Sequence, residues 1–150
     1  MIVGVLPQKW QTRYMHLALF VSQWSKDPST KCGCVIVRPD KTIATIGYNG
    51  FPKEIEDDPE LLNDRKKKYE HIVHAEDNAL RNGREDDYIG YHLFVTPFMP
   101  CCVCAELIKE SGVKYVYTYE ASADKLERWK ESFDQTKKMF EENGIQLIIL

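Results

Sequence analysis

At 150 residues, with 43% hydrophobic and 29% charged side chains, the chain has the size and composition of one globular domain around a single core, and it is too apolar for disorder. Its formal charge of −3 counts against a protein that grips long stretches of nucleic-acid phosphate, which calls for a basic excess. No apolar run approaches the roughly 18–20 residues of a membrane span. Residues 1–7 lack the basic start of a signal peptide, so a cytoplasmic location is expected.

The first element is a helix. Trp10, Tyr14, Leu17, Ala18, Val21 and Trp24 recur every three or four residues over 7–25, which is one apolar helix face. Pro28 closes it, because the residue before a proline avoids helical backbone. Residues 33–38 and 42–48 read as strands, and Pro39-Asp40-Lys41 turns one into the other as an antiparallel hairpin. Asn49-Gly50 then turns the chain out of the sheet. Residues 51–70 read as a polar surface loop, with a helical turn near 60–64 and a solvated basic run, Arg65-Lys66-Lys67-Lys68.

A short helix over 74–82 should stop at Gly83, and a strand follows over 91–96. A helix over 101–111 is closed by Gly112, and a strand follows over 113–119. A long amphipathic helix over 123–142 ends at Asn143-Gly144, and residues 145–150 make the last strand. Strands alternating with helices after residue 74 imply crossovers and parallel pairing there. The sum is an α/β fold in three layers, α/β/α, with a mixed five-stranded sheet and helices on both faces.

The chemistry lies in two short segments. The five cysteines cluster as Cys32 with Cys34, and Cys101 with Cys102 and Cys104. An odd, crowded set is a poor disulfide framework and points to metal binding or catalysis. Cys101 and Cys104 are three apart and share a helix face. Pro100 stands just before the first turn, whose positive dipole end favours thiolate. With His74 they supply one imidazole and two thiolates, the three protein ligands of an open zinc site. Glu76, two residues beyond His74, can reach the open side without ligating, take a proton from water and return it elsewhere.

Either half alone is weak. A lone His-x-Glu reads first as a surface pair, and a lone Cys-x-x-Cys as metal, redox or packing. In this order, each opening a helix, they form the signature of zinc deaminases acting on nucleobases. Cys102 reads as a small packing residue. Cys32 and Cys34 share one strand face and read as buried thiols. His16, His71 and His92 receive no role.

A wider set of residues carries a resemblance. It comprises Ser25-Lys26-Asp27-Pro28-Ser29-Thr30 before Cys32-Gly33-Cys34-Val35-Ile36-Val37; Gly47-Tyr48-Asn49-Gly50-Phe51-Pro52; His74-Ala75-Glu76-Asp77-Asn78-Ala79; and Pro100-Cys101-Cys102-Val103-Cys104 with Ser111-Gly112-Val113-Lys114. From Trp10 to Ile149 the chain resembles the deoxycytidylate deaminases of the cytidine deaminase-like superfamily. The resemblance implies hydrolytic deamination of deoxycytidylate (dCMP) to deoxyuridylate (dUMP) and ammonia. It implies one Zn2+ per chain on His74, Cys101 and Cys104, and Glu76 as proton shuttle. Asn49 would hydrogen-bond the deoxyribose, and the Ala75 backbone N–H the pyrimidine carbonyl. Lys31 is the first candidate for the 5′-phosphate, with Ser29 and Tyr119 behind it.

The resemblance further implies activation by dCTP, inhibition by dTTP, Mg2+ accompanying a triphosphate effector, and a homo-oligomer, a hexamer by preference. Gly50 and Asn78 are candidates for the effector pocket. Two departures stand out. Thr96-Pro97-Phe98-Met99-Pro100 holds one residue more than the family usually has in the loop expected to line the base pocket. Residues 51–70 hold neither Cys nor His, so a single zinc is expected. Other readings are deamination of dCTP, of another nucleotide or of a polynucleotide on the same scaffold, and a non-catalytic zinc module. Three ligands beside a placed carboxylate favour catalysis over a closed structural site.

Overall fold

The structure, a computed structural model, describes residues 4–51 and 72–150. The expected polar loop beyond Phe51, its helical turn, its basic run and His71 lie outside the described residues. The elements in chain order are α1 (Gln8–Ser22), β1 (Gly33–Val37), β2 (Ile43–Tyr48), α2 (Ala75–Asn82), β3 (His92–Thr96), α3 (Cys102–Ser111), β4 (Tyr115–Thr118), α4 (Ala123–Arg128), α5 (Lys130–Glu142) and β5 (Gln146–Ile149). Most ends fall one or two residues inside the expected bounds, where hydrogen bonding frays.

The strands form one mixed five-stranded sheet in the order β2-β1-β3-β4-β5. β1 runs antiparallel to β2 and β3, and β3, β4 and β5 run parallel. The expected architecture is therefore the observed one. β1, β3 and β4 are buried along their whole length. Their sequences are mostly apolar, without strict alternation, because both faces of the sheet are covered.

One core lies under α1, where Tyr14, Met15 and Ala18 meet Val35, Val37, Phe94 and Tyr117. The other lies under α2, α3 and α5, where Ala79, Ala105, Ile108 and Phe140 meet Ile36, Leu93, Val95 and Val116. Two glycines set how closely the helices approach. A Cβ on Gly33 would stand 2.1 Å from the Ala18 carbonyl oxygen of α1. One on Gly47 would stand 2.4 Å from the Ala79 nitrogen and 2.7 Å from the Ala75 carbonyl oxygen of α2.

One expectation is corrected. The helix over 123–142 is two helices, interrupted at Trp129 (φ −108°, ψ 13°). α5 buries Phe133, Thr136 and Phe140, whereas α4 buries nothing. The apolar residues of the two segments therefore serve different surfaces, and periodicity had merged them into one stripe. No helix among the described residues is long and apolar enough to cross a membrane.

Candidate active site

His74 is the N-cap of α2 and Cys101 the N-cap of α3, both in extended backbone. Each donor is thus fixed at the point where a helix begins. The Cys101 sulfur accepts the Cys104 backbone N–H at 3.5 Å, so the thiols sit at N-cap and N3 rather than both inside the helix. His74 Nδ1 lies 3.5 Å from Cys101 Sγ and 3.3 Å from Cys104 Sγ. The three donor atoms lie within 4.8 Å of one another, and this is the metal-competent cluster among the described residues.

The donors fit zinc. Metal–sulfur and metal–nitrogen bonds of about 2.3 Å and about 2.0 Å at a tetrahedral angle place N and S about 3.5 Å apart, close to both observed separations. The proton balance of the cluster agrees with a cation site. The Cys101 thiol is pulled far down, first by its hydrogen bond with Cys104 and then by His74. Cys104 is raised in the complementary sense by the same bond and by burial. His74 is held up at about 9 by the facing Cys101 sulfur. Three lone-pair donors pressed together share protons, and a metal ion replaces those protons.

Glu76 occupies the first turn of α2 and is 6% exposed. Burial is the main force pushing its carboxyl up to about 7, opposed by His74. A carboxyl near neutrality is suited to both accept and donate a proton.

A cavity of about 420 Å³ joins His74, Glu76 and Cys101 to the loops around them, within the size range of small-molecule sites. Val95, Phe98, Met99 and Phe133 give it an apolar wall. The lengthened loop after β3 therefore lines it, as expected. Its polar side carries Ser29, Thr30 and Asn49. Asp27 Oδ1 accepts the N–H groups of Ser29 (2.8 Å) and Thr30 (3.3 Å) and pins that loop. Asn49 pins it from the other side: Oδ1 accepts from the Cys32 N–H and Nδ2 donates to the Thr30 carbonyl, both at 2.9 Å.

Ala75 opens α2 and lines the same cavity. Two phosphate candidates stand elsewhere. The Lys31 ammonium donates to the Ser25 carbonyl and is not part of the lining. Tyr119 packs against the core on the α1 side. Its strand-end position put it at the correct end of the sheet but on the opposite face. Gly50 pairs with Val73 through two backbone hydrogen bonds, at 3.0 and 2.7 Å. Asn78 Nδ2 donates to the Tyr48 carbonyl at 2.8 Å. Both residues thus tie β2 to α2.

Cys34 is fully buried. Cys32 is half-buried and lines the cavity, because it precedes the first paired residue of β1 and the sheet no longer covers it. Cys102 is half-buried and lines the cavity, and its N–H donates to Ser132 Oγ at 2.9 Å. Sequence reasoning missed Lys125, Arg128 and Trp129, which line the cavity from α4 and its end. The available signal was the three-residue spacing of Lys125 and Arg128, which puts them on one helix face.

Residues 8–120 match the family model described as the cytidine and deoxycytidylate deaminase zinc-binding region. The chain is 37% identical over 139 residues to a protein of Aliivibrio fischeri named an uncharacterized deaminase in the luxG 3′ region, covering 93% of this chain and 92% of that one. It is 39% identical over 115 residues to the deoxycytidylate deaminase of Mus musculus, covering 72% of this chain and 63% of that enzyme. It thus spans less than two thirds of the mouse enzyme's length. Among solved structures it is similar to the dCMP deaminase of cyanophage S-TIM5 in complex with dCMP and dUMP. The TM-score is 0.72 and the identity 26%, over 97% of this chain and 100% of that one.

Proposed function

The chain belongs to the cytidine and deoxycytidylate deaminases, and on that premise we propose that it hydrolyses dCMP to dUMP and ammonia. The observation that carries this reading is the buried Glu76 lining one cavity with His74 and Cys101. The relatives named deoxycytidylate deaminases, and the similar phage enzyme that binds dCMP and dUMP, support the choice of substrate.

In this reading His74, Cys101 and Cys104 hold one zinc ion per chain. Zinc at such a site supplies Lewis acidity that brings the pKa of water toward neutrality. Glu76 takes the proton of the attacking water and delivers it to N3 of the cytosine ring. A second transfer through Glu76 puts a proton on the exocyclic amine, which leaves as ammonia as the C4 carbonyl forms. Asn49 spends one amide N–H and one lone pair on its loop. It keeps a second of each for the deoxyribose hydroxyl. The Ala75 N–H belongs to the first turn of α2, where no helical carbonyl is in reach, and it meets the pyrimidine carbonyl. Phe98 and Met99 keep bulk water from the ring.

Control by dCTP and dTTP, with Mg2+ on the effector phosphates and Gly50 and Asn78 in the effector pocket, belongs to the same proposal, as do a hexamer and a cytoplasmic location. These rest on the sequence resemblance. The deciding experiment measures ammonia release from dCMP, dCTP, deoxycytidine and single-stranded RNA, beside zinc content. The expected result is the highest kcat/KM on dCMP with about one zinc per chain. Faster turnover of dCTP or RNA, or turnover without bound metal, would overturn it.

A further inference from the structure

Of the three phosphate candidates taken from the sequence, Ser29 lines the cavity, whereas Lys31 and Tyr119 do not. The lysine and arginine side chains lining it among the described residues are Lys125 and Arg128. α4 carries both, yet it buries no residue in either core. A helix that adds nothing to the core but presents two cations to a ligand-sized cavity has its reason in the ligand. The Lys125 ammonium stands 3.3 Å from Thr30 Oγ1, on the loop that also presents Ser29. The Asp27 carboxylate on that wall is engaged with the N–H groups of the same loop. The Arg128 guanidinium lies 5.3 Å above the Trp129 ring.

One ammonium, one guanidinium and two hydroxyls are the donor set of a phosphate monoester. The cavity is continuous with the catalytic residues. The Cys32 thiol between the loops feels both the Glu76 carboxylate and the Lys125 ammonium. We propose that Lys125, assisted by Arg128, holds the 5′-phosphate of the substrate and so makes the enzyme choose nucleotide over nucleoside. This rests on the pyrimidine deaminase reading and names the recognition element of the same site.

The test uses the zinc-loaded full chain and compares kcat/KM for dCMP with kcat/KM for deoxycytidine, which lacks only the phosphate. Lys125→Met should lower that preference about tenfold to a hundredfold, chiefly through KM for dCMP, as expected for a lost charge-assisted contact. Lys125→Arg should keep most of it. Lys138→Met, an exposed lysine outside the cavity, should keep all of it. Arg128→Gln provides the reading if Lys125→Met fails to fold, and zinc content checks both. An unchanged preference in a folded Lys125→Met or Arg128→Gln protein overturns the assignment while leaving the deaminase intact. A wild-type protein inactive on dCMP and deoxycytidine alike would refute the functional reading and this inference together.

Discussion

Acid should weaken this fold through one histidine on the face opposite the catalytic cavity. His92 is 3% exposed and stacks on Tyr115 with ring centroids 4.6 Å apart. Tyr117 Oη accepts the Leu6 N–H at 3.0 Å and lies 2.8 Å from His92 Nδ1. The hydroxyl can donate to Nδ1 when that nitrogen carries no proton, an arrangement that a doubly protonated imidazole ends. Burial holds the imidazole down at about 4, against an ordinary 6.5. The folded pKa lies below the unfolded one, so the unfolded chain binds the extra proton between these values. The contribution is whole above pH 6.5 and is lost as pH falls toward 4. At pH 5 the two pKa values give a ratio of about 30 in proton-binding terms, or about 2 kcal/mol. That corresponds to roughly 4–8 °C in Tm for a domain of this size. The assay is urea unfolding at several pH values, for wild type and His92→Phe. The variant keeps a ring on Tyr115 but strands the Tyr117 hydroxyl, so it should be about 1–2 kcal/mol less stable at pH 7. Because it lacks the titrating group, the gap should close by pH 5. Both proteins share the metal ligands, so acid lability there cancels in the difference. A gap independent of pH between 7 and 5 would refute the reasoning.

Three further outcomes test the site and its support. Glu76→Gln should retain zinc, measured by metal analysis, and lose at least about a hundredfold in kcat, the scale of general acid–base catalysis; near-normal kcat would remove Glu76 from the proton path. Gly47→Ala should cost about 3 kcal/mol, because the new Cβ meets the Ala75 carbonyl and the Ala79 nitrogen and neither backbone atom can yield cheaply. It should also weaken zinc binding in a chelator competition, since the displaced helix begins at His74, a proposed zinc ligand. Stripping the metal with a strong chelator should abolish turnover and lower Tm by about 10 °C, the linkage expected when free metal exceeds Kd roughly a thousandfold. Unchanged Tm would mean that the donors hold no ion.

What was legible in the sequence is local. Cys101 and Cys104 are joined by helix spacing, and the hairpin strands by their turn. The order of strands and helices after residue 74 dictates right-handed crossovers and hence the parallel half of the sheet. What stayed hidden depends on which way a side chain turns and on where a helix breaks. Lys31 was placed by its position before β1, but its ammonium turns back to the Ser25 carbonyl six residues earlier. Tyr119 follows β4 at the cavity end, yet its side chain follows the face that packs under α1. In a sheet covered on both sides, apolar content does not say which face a residue takes. The interruption at Trp129 was invisible for a similar reason. Lys125 and Arg128 look like the solvated side of a long amphipathic helix unless a second helix is known to begin at residue 130.

The position of the cavity follows from strand direction. Antiparallel register places Gly33 opposite both Tyr48 and Thr96, so the start of β1 meets the ends of β2 and β3. Asn49, Cys32 and the loop from Thr96 to Cys101 must then share one end of the sheet. β4 runs parallel to β3, so its C-terminal end opens onto the same side, and α4 follows a few residues later. The switch from antiparallel to parallel neighbours falls at β3, and ligand crevices in open α/β sheets form at the carboxyl ends of strands where connections diverge. The α2 and α3 N-termini then need only be set at that crevice. Gly47 does so for α2 by removing a side chain. The proposed metal donors, proton carrier and phosphate anchor thus come from three separate segments, the starts of α2 and α3 and the helix α4, brought to one end of the sheet by the register of its strands. A one-residue slip between β1 and β3 would turn Cys34 toward α1 and move Cys32 relative to the Thr96 loop. It would therefore dismantle the site without altering a single motif in the sequence.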